Sequence, residues 1–192
     1  MSGNHDRGPW IWTHSGLKVH LLNPLTEEVS LADIAFSLAR MCRFNCHCEW
    51  YSVAEHCVLA SQLAPPGLEL VALLHDAHEY VIGDLTRPLT ASLPVGSSTD
   101  ISVLKSILDD AIMLRFGLPA VNGTVARQLR EIDDRLLATE CLALLGKEAL
   151  REWGLTADPY KHLRLHCWER DQAAREFLNR FESLTIHAGG NQ

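Results

Sequence analysis

Read for the spacing of its apolar positions, the chain is mostly helical. Ile34, Leu38 and Met41 recur at helical spacing behind Ser30, which can cap a helix with Asp33 in its first turn, and that helix is expected to end near Cys42. Ser52 and Glu55 are spaced as a capping box, so a second helix is predicted to carry His56 near its start and to stop at Pro65-Pro66-Gly67. From Leu68 to about Gly83 the chain is apolar nearly all round, the pattern of a central helix packed on several neighbours. Ile101 to Phe116 reads as another helix, closed by Gly117 and Pro119. A long helix from about Val121 to Leu145 keeps Val125, Leu129, Ile132 and Leu136 on one face, and a last one is predicted from Tyr160 to Phe181, before a flexible polar tail over residues 182–192.

Between these elements, "WIWTHSGLKVHLL" alternates loosely in polarity around Ser15-Gly16, which predicts a short hairpin that must lean on the helices. Ser92 to Asp100, "SLPVGSSTD", reads as a mobile loop that acts as a lid. No repeat or linker divides the sequence. The expectation is one all-α domain over residues 1–192, its core from about 10 to 181, with a short β addition at the start.

Composition narrows the class. A chain of 192 residues is long enough to bury a core without staples, and 47% hydrophobic with 21% charged residues is ordinary for a soluble protein. No stretch offers the roughly 20 apolar residues of a membrane span, and "MSGNHDRGPW" lacks a secretory signal, so the expected address is the cytoplasm. There the six cysteines, three of them at Cys42, Cys46 and Cys48, are read as thiols. A net charge of −7 argues against a nucleic-acid polymer as partner, while small anionic substrates remain compatible with local basic side chains.

Against this background one segment stands out, "ALLHDAHEYVIGDLTRPL", with His75, Asp76, Glu79, Asp84 and Arg87 crowded between Leu, Ala and Val. On a continuous helix, at about 100° per residue, Glu79 projects between His75 and Asp76, whereas His78 falls away from Asp76 and is read as an interhelical hydrogen bond or a surface residue. An "HD" dipeptide alone is most simply a satisfied polar pair. Here, however, His56 lies on the preceding predicted helix and Asp133-Asp134 on a later one. Two imidazoles plus two carboxylates from three helices would bind one divalent ion, Mn, Co, Zn, Fe or Ni, with Mg accompanying substrate phosphates. Two other groups are weaker. Cys42, Cys46, His47 and Cys48 are too close along the chain to wrap one zinc easily, and His162 with His166 lacks the intervening glutamate of a metalloprotease helix.

His56, then His75-Asp76, then a distant Asp followed by "RLLATE", is similar to the HD-domain metal-dependent phosphohydrolase superfamily. "RFNCHCEWYSVAEH" through "HDAHEYVIGDLTRPL" to "IDDRLLATE" resembles its small bacterial and phage branch, which includes 5′-deoxynucleotidases of the YfbR type and phage dATP triphosphohydrolases; the likeness runs from about Trp10 to Leu145. It implies a compact HD-domain helical bundle and one catalytic divalent ion held by His56, His75, Asp76 and Asp134. Asp134 is preferred to Asp133 because the family pattern puts the ligand two residues before a Leu and four before an Ala, here Leu136 and Ala138.

The same resemblance implies that Glu79 orients or deprotonates the attacking water, and that Asp84 acts near the sugar or protonates the leaving oxygen. Arg43, Phe44, Arg87 and Arg130 would meet the substrate through phosphate, sugar or base. The lysine that relatives often carry after the "RPL" equivalent is replaced by Thr90-Ala91-Ser92. The implied activity is hydrolysis of a small deoxynucleotide, foremost a dNTP of the dATP type, giving deoxynucleoside and triphosphate. Alternatives are a 5′-deoxynucleotidase acting on dNMPs, an alarmone or cyclic-nucleotide hydrolase, and a non-catalytic nucleotide sensor. Such relatives tend to be dimers or hexamers, and a phage-encoded protein would work in the host cytoplasm.

Overall fold

A computed structural model describes residues 7–92 and 100–189, and within them the fold is all-α apart from one hairpin at the start. Strand β1 (Trp10–Trp12) pairs antiparallel with β2 (Lys18–His20), Ile11 opposite Val19, with Gly16 supplying a left-handed turn at φ +86°. The hairpin leans on the helices as expected: Asp33 accepts hydrogen bonds from the Ser15 backbone N–H at 2.8 Å and its hydroxyl at 2.6 Å.

Local capping chemistry starts the helices. Ser30 accepts from the Asp33 N–H and opens α1 (Leu31–Leu38), which ends short of Cys42, and Ser52 accepts from the Glu55 N–H and opens α2 (Val53–Leu63). Only half of the predicted capping box forms. The Glu55 carboxylate, fully buried, turns away from the Ser52 backbone and accepts from the N–H groups of His166, Cys167 and Trp168 at 2.5, 3.0 and 2.8 Å.

The predicted continuous helix from Leu68 to Gly83 is broken. It becomes α3 (Glu69–Leu73), a run of turns, and α4 (Glu79–Ile82). Residues 77 to 81 are held mainly by bonds three residues back, Ala77 to Leu74, Glu79 to Asp76 and Val81 to His78. The His75 ring explains the break: its Nδ1–H donates to the Ala72 carbonyl at 2.7 Å, taking the acceptor that a continuing helix would offer to the Asp76 N–H. The central helix is instead α2, whose residues from Val53 to Ser61 are all buried.

Beyond α5 (Arg87–Ser92), the lid expected at Ser92 to Asp100 falls almost wholly on residues outside those described. Asp100 then caps α6 (Ile101–Arg115), and Asn122 caps α7 (Gly123–Leu144). A short α8 (Lys147–Glu152) follows that the sequence reading did not anticipate. The final helix is also shifted: α9 runs from Arg170 to Gly189, starting later and ending later than predicted, past the point where a flexible tail was expected. Residues 160–169 are non-helical, and Leu163, Leu165 and Cys167 point toward a hydrophobic cluster around Tyr51, Leu59 and Leu136 while Arg164 and His166 are exposed.

Helix α2 packs against α1, α3, α7 and α9, with a core that includes Ile34, Leu38, Val53, Leu73, Ile112 and Phe177. Among the described residues no helix is long and apolar enough to cross a membrane.

Candidate metal centre

Three elements meet where α2, the turn after α3, and α7 face one another. From α2, His56 is wholly buried, and its Nε2 lies 3.3 Å from His75 Nε2 and 3.5 Å from Asp76 Oδ2. His75 Nε2 in turn lies 3.2 Å from Asp76 Oδ2. These three side chains can present their ligand atoms to one metal ion, all within 4.8 Å of one another. The break at Leu74 allows this, because it turns His75 and Asp76 together toward α2.

The α7 carboxylate that faces His56 is Asp133. Its Oδ1 approaches His56 Nε2 at 3.3 Å, whereas Asp134, the expected ligand, is directed to Arg87 at 2.7 Å. The reason is helical register. Asp133, Leu136 and Glu140 fall at i, i+3 and i+7 on the face of α7 turned to α2, with Leu136 and Glu140 fully buried, and Asp134 lies about 100° further round.

Glu140, the last residue of "RLLATE", is the hub of the buried polar network. Its Oε1 accepts from His56 Nδ1 at 2.7 Å and from the Tyr51 hydroxyl at 2.8 Å, and its Oε2 lies 3.0 Å from Arg43 Nε. A carboxylate and a backbone carbonyl only accept, so His56 and His75 each carry a proton on Nδ1 and aim Nε2 at the centre. That donor set fits a borderline divalent ion.

The electrostatics point the same way. Burial alone would lower the His75 imidazolium, but the adjacent Asp76 carboxylate outweighs it and holds the pKa well above the ordinary value. Burial would raise Asp76, yet His75 pulls it well below the usual carboxylate range. Asp133 is likewise lowered against its burial, through its contact with His56. A proton on His75 thus balances the charge that a cation would balance. Glu79 is the exception: burial, then Asp76 and Asp84, push its carboxyl up to about 9. Asp84, just after Gly83, is raised by burial despite Arg43.

The expected substrate contacts fall out differently. Arg43 is buried and directed inward to Glu140 and, at 3.9 Å, to Asp76, so it braces the network. Phe44, at φ +55°, packs with Leu137 and Cys141 and stacks on Trp153, which places its ring in a small core cluster. Arg87 forks across Asp133 and Asp134, at 2.7 Å to each, and remains half-exposed. Arg130 is exposed. His78 makes the interhelical bond expected of it, Nδ1 to Asp109 Oδ1 at 2.8 Å, but also joins Asp76 and Glu79 in a second group of possible ligands, although the continuous-helix projection turns it away from Asp76. Concavities beside the hairpin and beside Tyr160 are lined by none of the metal-centre residues.

No family model matches the chain. It is 37% identical over 159 residues, 76% of this chain and 79% of the relative, to an uncharacterized protein of Rhodobacter capsulatus. It is 36% identical over 132 residues, 68% of this chain and 70% of the relative, to the uncharacterized protein YfdR of Escherichia coli. At that identity and coverage, this chain belongs to the same protein family as the Rhodobacter capsulatus protein and YfdR.

Proposed function

We propose that the protein is an HD-type metal-dependent phosphohydrolase acting on small deoxynucleotides, foremost dNTPs, with release of deoxynucleoside and triphosphate. The observation that carries this reading is the meeting of His56 Nε2, His75 Nε2 and Asp76 Oδ2 within 3.2–3.5 Å, with Asp133 at 3.3 Å from the same His56 nitrogen. His56, His75, Asp76 and Asp133 would hold a divalent ion, which supplies positive charge for a phosphoryl oxygen and acidifies a water.

The chain's own residues would divide the remaining work. Glu140 and the Ala72 carbonyl keep both imidazoles in the ligating tautomer. With positive charge beside it, Glu79 ionises and can take a proton from the attacking water, while Asp84, whose carboxyl is already raised, is suited to protonating a leaving oxygen. A triphosphate needs cations. Arg87 stands half-exposed across Asp133 and Asp134, and Lys105 of α6 would offer the ammonium missing at Thr90-Ala91-Ser92.

Incubating the protein with each dNTP and dNMP plus Mn2+, Co2+ or Mg2+, and resolving products by chromatography, tests the proposal. EDTA-sensitive release of deoxynucleoside from dNTPs is expected; no turnover of any member of the panel would reject it, and turnover of dNMPs alone would reassign the substrate.

A further inference from the structure

A second set of ligand atoms lies beside the first. Asp76, His78 and Glu79 can present theirs within 4.8 Å of one another, and Asp76 belongs to both sets. His78 has no part in the chemistry proposed above. Its Nδ1 donates to Asp109 Oδ1 at 2.8 Å; since that carboxylate only accepts, a ring proton sits there, which leaves Nε2 as the nitrogen free to ligate. This is the arrangement in which a carboxylate orients a metal-binding imidazole.

His78 and Glu79 are each 5% exposed, and among the described residues His78 Nε2 and Glu79 Oε2 are buried with no hydrogen-bond partner. A buried polar atom without a partner costs about 1–3 kcal/mol, and here two belong to adjacent residues of one ligand set, so a shared cation would satisfy both. A single proton between them would serve one pair of atoms, whereas a cation engages an imidazole nitrogen and two carboxylate oxygens at once.

We propose that Asp76, His78 and Glu79 form a second divalent-cation site, sharing Asp76 with the His56 and His75 centre and oriented through His78 by Asp109. One imidazole and two carboxylates suit Mn2+ or Co2+. One oxygen of Glu79 suffices for the ion, which leaves the other for a water. The site deepens the phosphohydrolase reading, because two cations about one bridging carboxylate form a clamp suited to phosphoryl groups, yet its test needs no turnover.

Chelator-treated full-length protein is titrated with Mn2+ alone by calorimetry and followed by electron paramagnetic resonance. Wild type should take up two equivalents and show the broadened signal of neighbouring Mn2+ ions. His78→Ala and Glu79→Gln should each take up one and show an isolated-ion signal, and Asp109→Asn should weaken only the second uptake, by about 10–100-fold. Circular dichroism identifies any variant that misfolds, and the wild-type stoichiometry decides alone if both do. Saturation at one equivalent, or two equivalents retained in both variants, would overturn the second site and leave the first standing. No uptake at all would overturn both.

Discussion

Asp133 and Glu140 stand two turns apart on α7 and hold opposite nitrogens of the same ring: Asp133 Oδ1 is 3.3 Å from His56 Nε2, and Glu140 Oε1 is 2.7 Å from His56 Nδ1. One carboxylate shares the ligating side of the imidazole and the other fixes its tautomer. This relationship makes the two adjacent aspartates unequal. Asp133→Asn should lower Mn2+ affinity by at least about tenfold in calorimetry, whereas Asp134→Asn, which loses only its contact to Arg87, should stay near wild type. Equal losses would show that α7 sits in a different register.

Glu140 also balances Arg43 in a buried network with Tyr51. Glu140→Gln keeps the shape but strands the guanidinium and loosens the His56 tautomer. Unfolding in urea should reveal a loss of about 3–5 kcal/mol, together with weaker metal binding. A variant as stable as wild type would mean that the network is solvated and not a structural hub.

Metal uptake should depend on pH in a stated direction. In the ion-free protein, burial would lower His75 but Asp76 outweighs it, so its folded pKa lies well above 6.5. A cation must displace that proton. Apparent Mn2+ affinity should therefore rise with pH from 6 upward, by about tenfold per unit for each proton released. By the same linkage, a raised imidazolium contributes stability that is complete below 6.5 and is lost as pH climbs through the folded value. The melting temperature of chelator-treated protein should fall on the alkaline side, and Mn2+ should restore it. An affinity independent of pH would contradict a protonated His75.

Glu55 anchors residues 166–168 through three backbone N–H groups. Glu55→Gln should destabilise the protein by about 2–3 kcal/mol, and amide exchange at His166, Cys167 and Trp168 should accelerate more than in α2. Unchanged protection there would mean that the segment is held by its apolar side chains alone.

These two places also show what the sequence could and could not reveal. The caps at Ser30 and Ser52 are local, so they were legible. The alternation of Leu163, Leu165 and Cys167 with Arg164 and His166 is present in the sequence too, although the helix predicted from Tyr160 runs over it and the chain there is non-helical. The break after Leu73 had no signal in an unbroken apolar pattern, because it arises from the His75 side chain competing for the Ala72 carbonyl. That His56, His75 and Asp76 converge was readable from residue type and spacing. The choice between Asp133 and Asp134 was not, since it turns on a 100° rotation of α7 set by packing, and Glu140 stood out only once the face it shares with Asp133 was known.

The most direct test of a catalytic metal centre compares wild type with Asp76→Ala, both verified as folded, in a single assay of dATP with Mn2+. Wild type should yield deoxyadenosine and triphosphate until EDTA is added, and Asp76→Ala should yield neither. Inert wild type across dNTPs and dNMPs, or an Asp76→Ala variant that keeps its rate, would contradict a catalytic metal centre.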